Sequence, residues 1–227
     1  MLYITGDIHG ERARFADPSY GIEGRLFEGD RILVCGDFVN IFHENGQAEI
    51  DAFLDELEQK TYEILFCDGN HEDYSRLSSY PKEQWMGGET HRIRRNIRHL
   101  MRGQIYEIDG STFFVMGGGR SFGEDPPLVP GISWWPEEEP SEEEYVEAGR
   151  NLESYRWKVD YIVTHTAPLK TMSAVSPDYE AGRLNHYLDW LKERVTYRHW
   201  YMGHLHQDLD VWDDQTILRY DVRKLQI

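Results

Sequence analysis

A chain of 227 residues with 40% hydrophobic content can build a sizeable core, which excludes wholesale disorder and favours one large domain, 1–227, over two small ones. No apolar run nears the ~20 residues that cross a bilayer, and a formal charge of −17 disfavours binding of long nucleic acid unless metals or a basic patch intervene. The first strand is expected from residue 2 and leaves no room for a targeting segment, so the expectation is a soluble, cytoplasmic protein with no membrane partner.

Leu2–Thr5 is a short apolar and β-branched run, right for a strand, and Gly6 ends it. Asp7 and His9 follow with one residue between them. Alternation at a strand's end points both side chains the same way. A hard oxygen and an imidazole then stand together at the carboxyl edge of a sheet, where open α/β sheets bind ligands. Alone, Asp-x-His is a weak signal that any surface turn can carry. Arg31–Cys35 reads as a second buried strand, closed by Gly36-Asp37. Residues 48–60 have helical period, with Ile50, Phe53, Leu54 and Leu57 at i, i+3, i+4 and i+7. Glu63–Cys67 is a third strand, followed by Asp68-Gly69-Asn70-His71-Glu72. This is βαβ grammar, and it predicts parallel pairing. Cys35 and Cys67, the two cysteines, read as small, buried, reduced thiols. The sharper alternative is a pair of thiols close enough to a metal to be redox-sensitive.

Between residues 74 and 102 the periodicity is poor and Arg92, Arg94, Arg95, Arg98 and Arg102 crowd together. They read as a solvated face offsetting the acidic surroundings, with an anion-attracting patch as the alternative. Ile105–Ile108 and Thr112–Met116 flank Asp109-Gly110 as a hairpin, opening a second, partly antiparallel sheet. Residues 117–140 have no period and hold most of the prolines, a length of loop that is usually functional or disordered. Trp134-Trp135 argues against disorder, because two indoles want burial or a ligand. Ser141 with Glu144 is a capping box, so a helix runs from there to about Tyr155. The acidic run 137–144 reads as its solvated start, with metal binding as a minor alternative. Asp160–Thr164 is a strand ending in His165, and Leu184, Tyr187, Leu188 and Leu191 mark the last amphipathic helix. His199–Met202 is a strand ending in Gly203-His204-Leu205-His206, and 209–220 reads as a closing hairpin.

Five predicted strand ends thus carry Asp7 and His9, Asp37, Asn70 and His71, His165, and His204 and His206. Half of the ten histidines lie in these turns, while His43, His91, His99, His186 and His199 read as ordinary surface or core residues. Mixed imidazole and carboxylate ligands suit Mn, Fe, Zn or Ni better than Ca or Mg. Seven ligand candidates are too many for one four-coordinate ion. They suit two ions sharing a carboxylate, the clamp used for in-line phosphoryl displacement.

The series Gly6-Asp7-Ile8-His9-Gly10, Gly36-Asp37, Gly69-Asn70-His71-Glu72, Thr164-His165 and Gly203-His204-Leu205-His206 resembles, in order, the motifs of the calcineurin-like metallophosphoesterases. The Gly-His-x-His ending is similar to the smaller bacterial and phage-type branches. The resemblance implies an α/β fold, a four-layer α/β/β/α sandwich of two mixed sheets flanked by helices, with a dinuclear site at the strand ends. It implies that Asp7, His9, Asp37 and His206 hold one metal, and that Asp37, Asn70, His165 and His204 hold the other. His71 would contact the phosphate together with Asn70 and protonate the leaving group. The protein Ser/Thr phosphatases of this superfamily have an acid that orients that histidine where Asn40 stands here, and arginines at the positions of Ile41 and Asp68. An amide fixes an imidazole's orientation without stabilising its charged form, so His71 is expected to hold its proton less readily unless Glu72 or Asp73 compensates.

The expected function is hydrolysis of small or medium phosphate esters through a metal-bridging hydroxide, with two divalent ions as cofactors and manganese the first to assay. The alternatives are a nucleotide or cyclic-nucleotide phosphodiesterase or nuclease, a protein Ser/Thr phosphatase, and a non-catalytic scaffold. With family-typical arginines absent, Arg120 after the Gly117–Gly119 run is the expected phosphate contact, and Trp134 and Trp135 an apolar wall for the leaving group. Arg12, Arg14 and the 92–102 cluster are the fallback clamps.

Overall fold

Strands β1 (Leu2–Thr5), β2 (Arg31–Val34) and β3 (Glu63–Phe66) pair in parallel, as their unbroken apolar runs predict. The computed structural model describes residues 1–39, 46–121 and 128–227. Both faces of these strands are covered, so alternate side chains feed two different cores. Ile32, Val34, Ile64 and Phe66 pack outward with Ile50, Phe53, Leu54 and Leu57 of helix α2 (Gln47–Glu58). The short helix α1 (Ala13–Ala16) adds Phe15 to the same cluster. Leu33, Cys35, Leu65 and Cys67 pack inward against the second sheet. Burying each α2 apolar side chain contributes roughly 1.5–3 kcal/mol, so this seam carries more of the helix's stability than its propensity does.

Past the short helix α3 (Tyr74–Leu77), β4 (Lys82–Trp85), β5 (Gly88–Arg94) and β6 (Ile97–Leu100) extend the first sheet. The second sheet takes β7 (Ile105–Ile108), β8 (Ser111–Met116), β9 (Tyr161–Thr164), β10 (His199–Met202), β11 (Leu209–Trp212) and β12 (Gln215–Ile217). A two-residue strand, β13 (Arg223–Lys224), returns to the first sheet beside β1. The orders are β13-β1-β2-β3-β6-β5-β4 and β11-β12-β10-β9-β8-β7, both mixed. Helices α4 (Glu142–Ser154), α5 (Leu169–Val175) and α6 (Arg183–Lys192) cover the outer face of the second sheet through Tyr145, Leu152, Met172, Leu184 and Leu188. Helix, sheet, sheet and helix are the four layers expected.

Four departures from the sequence reading have physical causes. Residues 82–100 form three strands instead of an irregular basic face, because the edge strand β4 and its neighbour β5 have exposed positions that take charged residues. Their arginines serve ion pairs: Arg94 with Asp51 and Asp55 of α2, both at 2.9 Å, and Arg98 with Glu83 and Glu63 at 2.8 and 3.1 Å. Arg102 is buried on Asp68 at 2.5 Å, and His99 reaches the other oxygen of that carboxylate at 3.0 Å. The acidic run is only partly solvated, since Glu138 is buried. The closing hairpin stops at Ile217, after which the chain crosses to the other sheet. Asn40, Ile41 and His43 lie outside the described residues.

Candidate metal centre

The carboxyl ends of β1, β2, β3, β9 and β10 deliver all eight chemistry-bearing residues to one place, and close approach between neighbouring turns explains the glycines among them. A Cβ on Gly36 would stand 2.2 Å from His165 Nδ1, and one on Gly69 would stand 2.0 Å from Asp37 Oδ1. Neither position admits a side chain. His9, Asp37, His204 and His206 have φ of 49°, 49°, 69° and 50°. Non-glycine residues pay on the order of 1–3 kcal/mol for such backbone, and it persists only where the surroundings enforce it. Here the N–H groups of Ile8 and His9 both donate to the Asp37 carbonyl, at 3.0 and 2.7 Å, and Gly203 donates to the His165 carbonyl at 2.9 Å.

Two sets of ligand atoms converge. In the first, His206 Nε2 lies 3.1 Å from Asp7 Oδ2 and 3.0 Å from His9 Nε2. His9 Nε2 lies 3.6 Å from Asp37 Oδ2, and one atom of each of these four residues falls within 4.8 Å of the others. In the second, His165 Nε2 lies 2.9 Å from Asn70 Oδ1, 3.1 Å from His204 Nδ1 and 3.4 Å from Asp37 Oδ2. Asp37 Oδ2 therefore faces both sets.

The donor set fits divalent cations. Asp7 Oδ2 is buried with no well-oriented hydrogen-bond donor. Carboxylate, amide and imidazole acceptors crowd together, a set that suits a divalent cation. His165 Nδ1 faces the Cys35 carbonyl at 2.8 Å, and since a carbonyl only accepts, Nε2 is the nitrogen left to bind a metal. His204 Nε2 meets the Tyr179 hydroxyl at 3.1 Å, which likewise leaves Nδ1 to the centre. The backbone adds partners: His71 N–H donates to Asp37 Oδ1 at 2.8 Å and His204 N–H to Asp7 Oδ1 at 3.0 Å.

Electrostatics agree. Burial pushes Asp37 up, but His165, His9 and His71 together hold it well below the usual carboxylate range. Burial raises Asp7 too, and the neighbouring His206 and His165 outweigh it. Burial, reinforced by His165, pushes His204 down to about 3, so its ring is neutral at neutral pH, the form that ligates a metal. His71 is half-buried beside His9, their rings 5.7 Å apart, and burial lowers it against the pull of Asp37. Glu72 and Asp73 are engaged elsewhere: Glu72 accepts from Phe38 N–H at 2.8 Å, and Asp73 caps α3 through Arg76 N–H at 3.0 Å. Cys35 and Cys67 are buried and free of disulfides, and burial pushes both thiols up, which keeps them protonated.

Arg120 stands at the rim with its side chain 46% exposed, its guanidinium 3.3 Å from Glu180. It lines a cavity of about 300 Å³ with Ser121, Leu128, Trp134, Trp135 and Glu138. Trp135 is buried, while Trp134 is half-buried at the cavity wall. Ser121 joins the cavity to the centre through its hydroxyl, 3.0 Å from Asn70 Nδ2. Arg12 pairs with Glu49 at 2.7 Å and with Glu56, and Arg14 is buried, donating to the Asp7 carbonyl at 3.1 Å. Arg219 donates to the same carbonyl at 3.0 Å. The sequence reading missed Ser121, Glu138, Tyr179 and Arg219. Only Ser121 had a local signal, since it follows the glycine run that leaves β8.

A four-layer α/β/β/α sandwich with aspartate, asparagine and histidine ligands at its strand ends defines a metallophosphoesterase architecture. The chain belongs to the calcineurin-like phosphoesterase family, whose model matches residues 2–208. No curated protein matches it. Membership implies a metal-binding hydrolase of phosphoester bonds. Among the described residues no helix is long and apolar enough to cross a membrane.

Proposed function

We propose that residues 1–227 form one catalytic domain that hydrolyses small or medium phosphate esters at a dinuclear centre. Asp7, His9, Asp37 and His206 hold one ion, and Asp37, Asn70, His165 and His204 the other. The observation that carries this reading is the position of Asp37 Oδ2, 3.6 Å from His9 Nε2 and 3.4 Å from His165 Nε2. Two divalent ions, with manganese the first to try, supply Lewis acidity toward the phosphoryl oxygens and a nucleophile at neutral pH.

The protein's own groups do the rest. Asn70 and His71 contact the phosphate, and His71 gives a proton to the departing oxygen. Its lowered proton affinity makes the imidazolium a stronger acid but a scarcer one at neutral pH. Asn40, standing where related protein phosphatases have an acid, is assigned to orient it. Arg120 reaches over the rim to an anionic oxygen, and Trp134 gives the leaving group an apolar wall. The net charge of −17 favours compact esters, whose charge the metals offset, over long nucleic acid. Buried, protonated thiols accord with action in the cytoplasm.

The test is hydrolysis of aryl phosphate monoesters and diesters with Mn²⁺, with and without chelator. Metal-dependent release of the phenol from either class is the expected result and also ranks monoesterase against phosphodiesterase action. Absence of turnover on both, with metal bound, would turn the reading toward a non-catalytic scaffold.

A further inference from the structure

Asn70 presents a problem that the histidine and aspartate ligands do not. Its amide has a carbonyl end that binds a cation and an NH₂ end that repels one, with nearly identical shapes. Something must decide which end faces the second ion. Asn70 is 3% exposed, so water does not choose for it. Asn70 Nδ2 lies 3.0 Å from Ser121 Oγ, while Asn70 Oδ1 faces His165. Ser121 in turn sits on the Glu138 carboxylate: its N–H donates to Glu138 Oε2 at 2.9 Å, and its hydroxyl bonds the same group.

Glu138 is itself fixed from several sides. It is 1% exposed, and its other oxygen faces Trp135 N–H at 3.4 Å. Its carbonyl accepts from Gly119 N–H at 3.0 Å, and the preceding carbonyl, of Glu137, accepts from Arg102 at 2.7 Å. The loop that leaves β8 is thereby held against the second metal set.

The geometry points to Glu138 and Ser121 as positioning residues that set the polarity of the Asn70 amide for the second ion. An ionised carboxylate only accepts hydrogen bonds, so the Ser121 hydroxyl must donate to it. That leaves the Ser121 lone pair to accept from Asn70 NH₂, and the Asn70 carbonyl oxygen must then face the centre. With Glu138 ionised, each link has one direction only. Burial pushes Glu138 up to about 7, so the ionised form that fixes these directions predominates above neutral pH. The inference rests on the dinuclear reading above and assigns the relay to one of its two ions.

Metal titration calorimetry with Mn²⁺ on the chelator-treated chain tests it. Wild type should bind two ions in resolvable steps. Glu138→Gln keeps the shape but lets the group donate as well as accept, and Ser121→Ala removes the middle link. Both should weaken the second step by roughly 10–100-fold and leave the first unchanged. Ser121→Thr, which keeps the hydroxyl, should restore it. Metal-free melting temperatures separate a folding defect from a ligand defect. Wild-type binding of both ions in Glu138→Gln and Ser121→Ala would overturn the relay, as would equal weakening of both steps. A single ion in wild type would instead bring down the dinuclear reading, and the relay with it.

Discussion

The two halves of the centre are built differently. The first set leans toward solvent, with the His206 side chain 53% and the His9 side chain 22% exposed. The second is the more sealed, with His165 fully buried, Asn70 nearly so and His204 half-buried. Left-handed backbone serves both halves, at His9 and His206 in the open one and at His204 in the other, but the histidines of the open half have few partners beyond the ligand set. In the sealed half each ligand rests on a further group: His165 on the Cys35 carbonyl, His204 on Tyr179, Asn70 on Ser121. On the proposed reading, the open half would admit substrate and exchange its ion, and the more sealed half would hold its ion in place.

The largest effect should come from the residue the halves share. Asp37→Ala should impair both ions and lower turnover on the order of 10³-fold or more, since each metal's charge stabilisation is worth several kcal/mol. Retention of two ions by this variant, read by metal analysis, would break the shared-ligand account. Next comes the proton donor. His71→Asn should keep both ions yet lose roughly 10²–10⁴-fold in turnover on poor leaving groups, and much less on nitrophenyl esters. Equal losses on both would assign His71 to binding instead of proton transfer.

His206→Ala sharpens the contrast between halves. It should weaken the open site selectively, and in wild type a chelator should strip that ion first. Arg120→Ala should raise KM for phosphate esters several-fold with metal content unchanged. Kinetics identical to wild type across several substrates would send the search for a phosphate clamp to other cations.

The smallest effect concerns the stacked pair His91 and His99, rings 5.3 Å apart, with His99 on the Asp68 carboxylate. Burial and the neighbouring His99 push His91 down to about 4 from an ordinary 6.5. Between those values the unfolded chain binds the proton and the folded one does not. Its contribution is therefore complete above pH 6.5 and is lost as the pH falls toward 4. His91→Phe, which keeps a flat ring against His99, should flatten that limb in melts of the metal-free chain. An unchanged acid limb would remove the pair from the account.

The sequence made the sealed architecture easier to read than its props. β1, β2 and β3 were legible because both of their faces are buried, which forces continuous apolar runs. Asp7, Asp37, Asn70 and His204 were legible because each follows a glycine that close packing requires, and His165 and His206 because they end or follow strands of the same series. Strands β4 and β5 were not, since their solvent-facing positions carry charges, and the partners of Arg94 lie on α2, far along the chain. Glu138 looked like one more solvated acid of a helix start. Its role depends on contacts with Ser121 and Trp135 that exist only once the loop is folded. Asp68, read as a missing arginine, has an arginine after all: Arg102 arrives from the end of β6 and neutralises it.

Anomalous diffraction from crystals soaked in Mn²⁺ tests the shared centre most directly. The account predicts two peaks about 3.5–4 Å apart, one beside His9 and His206, the other beside Asn70, His165 and His204, with Asp37 between them. A single peak, or two that do not share Asp37, would contradict it.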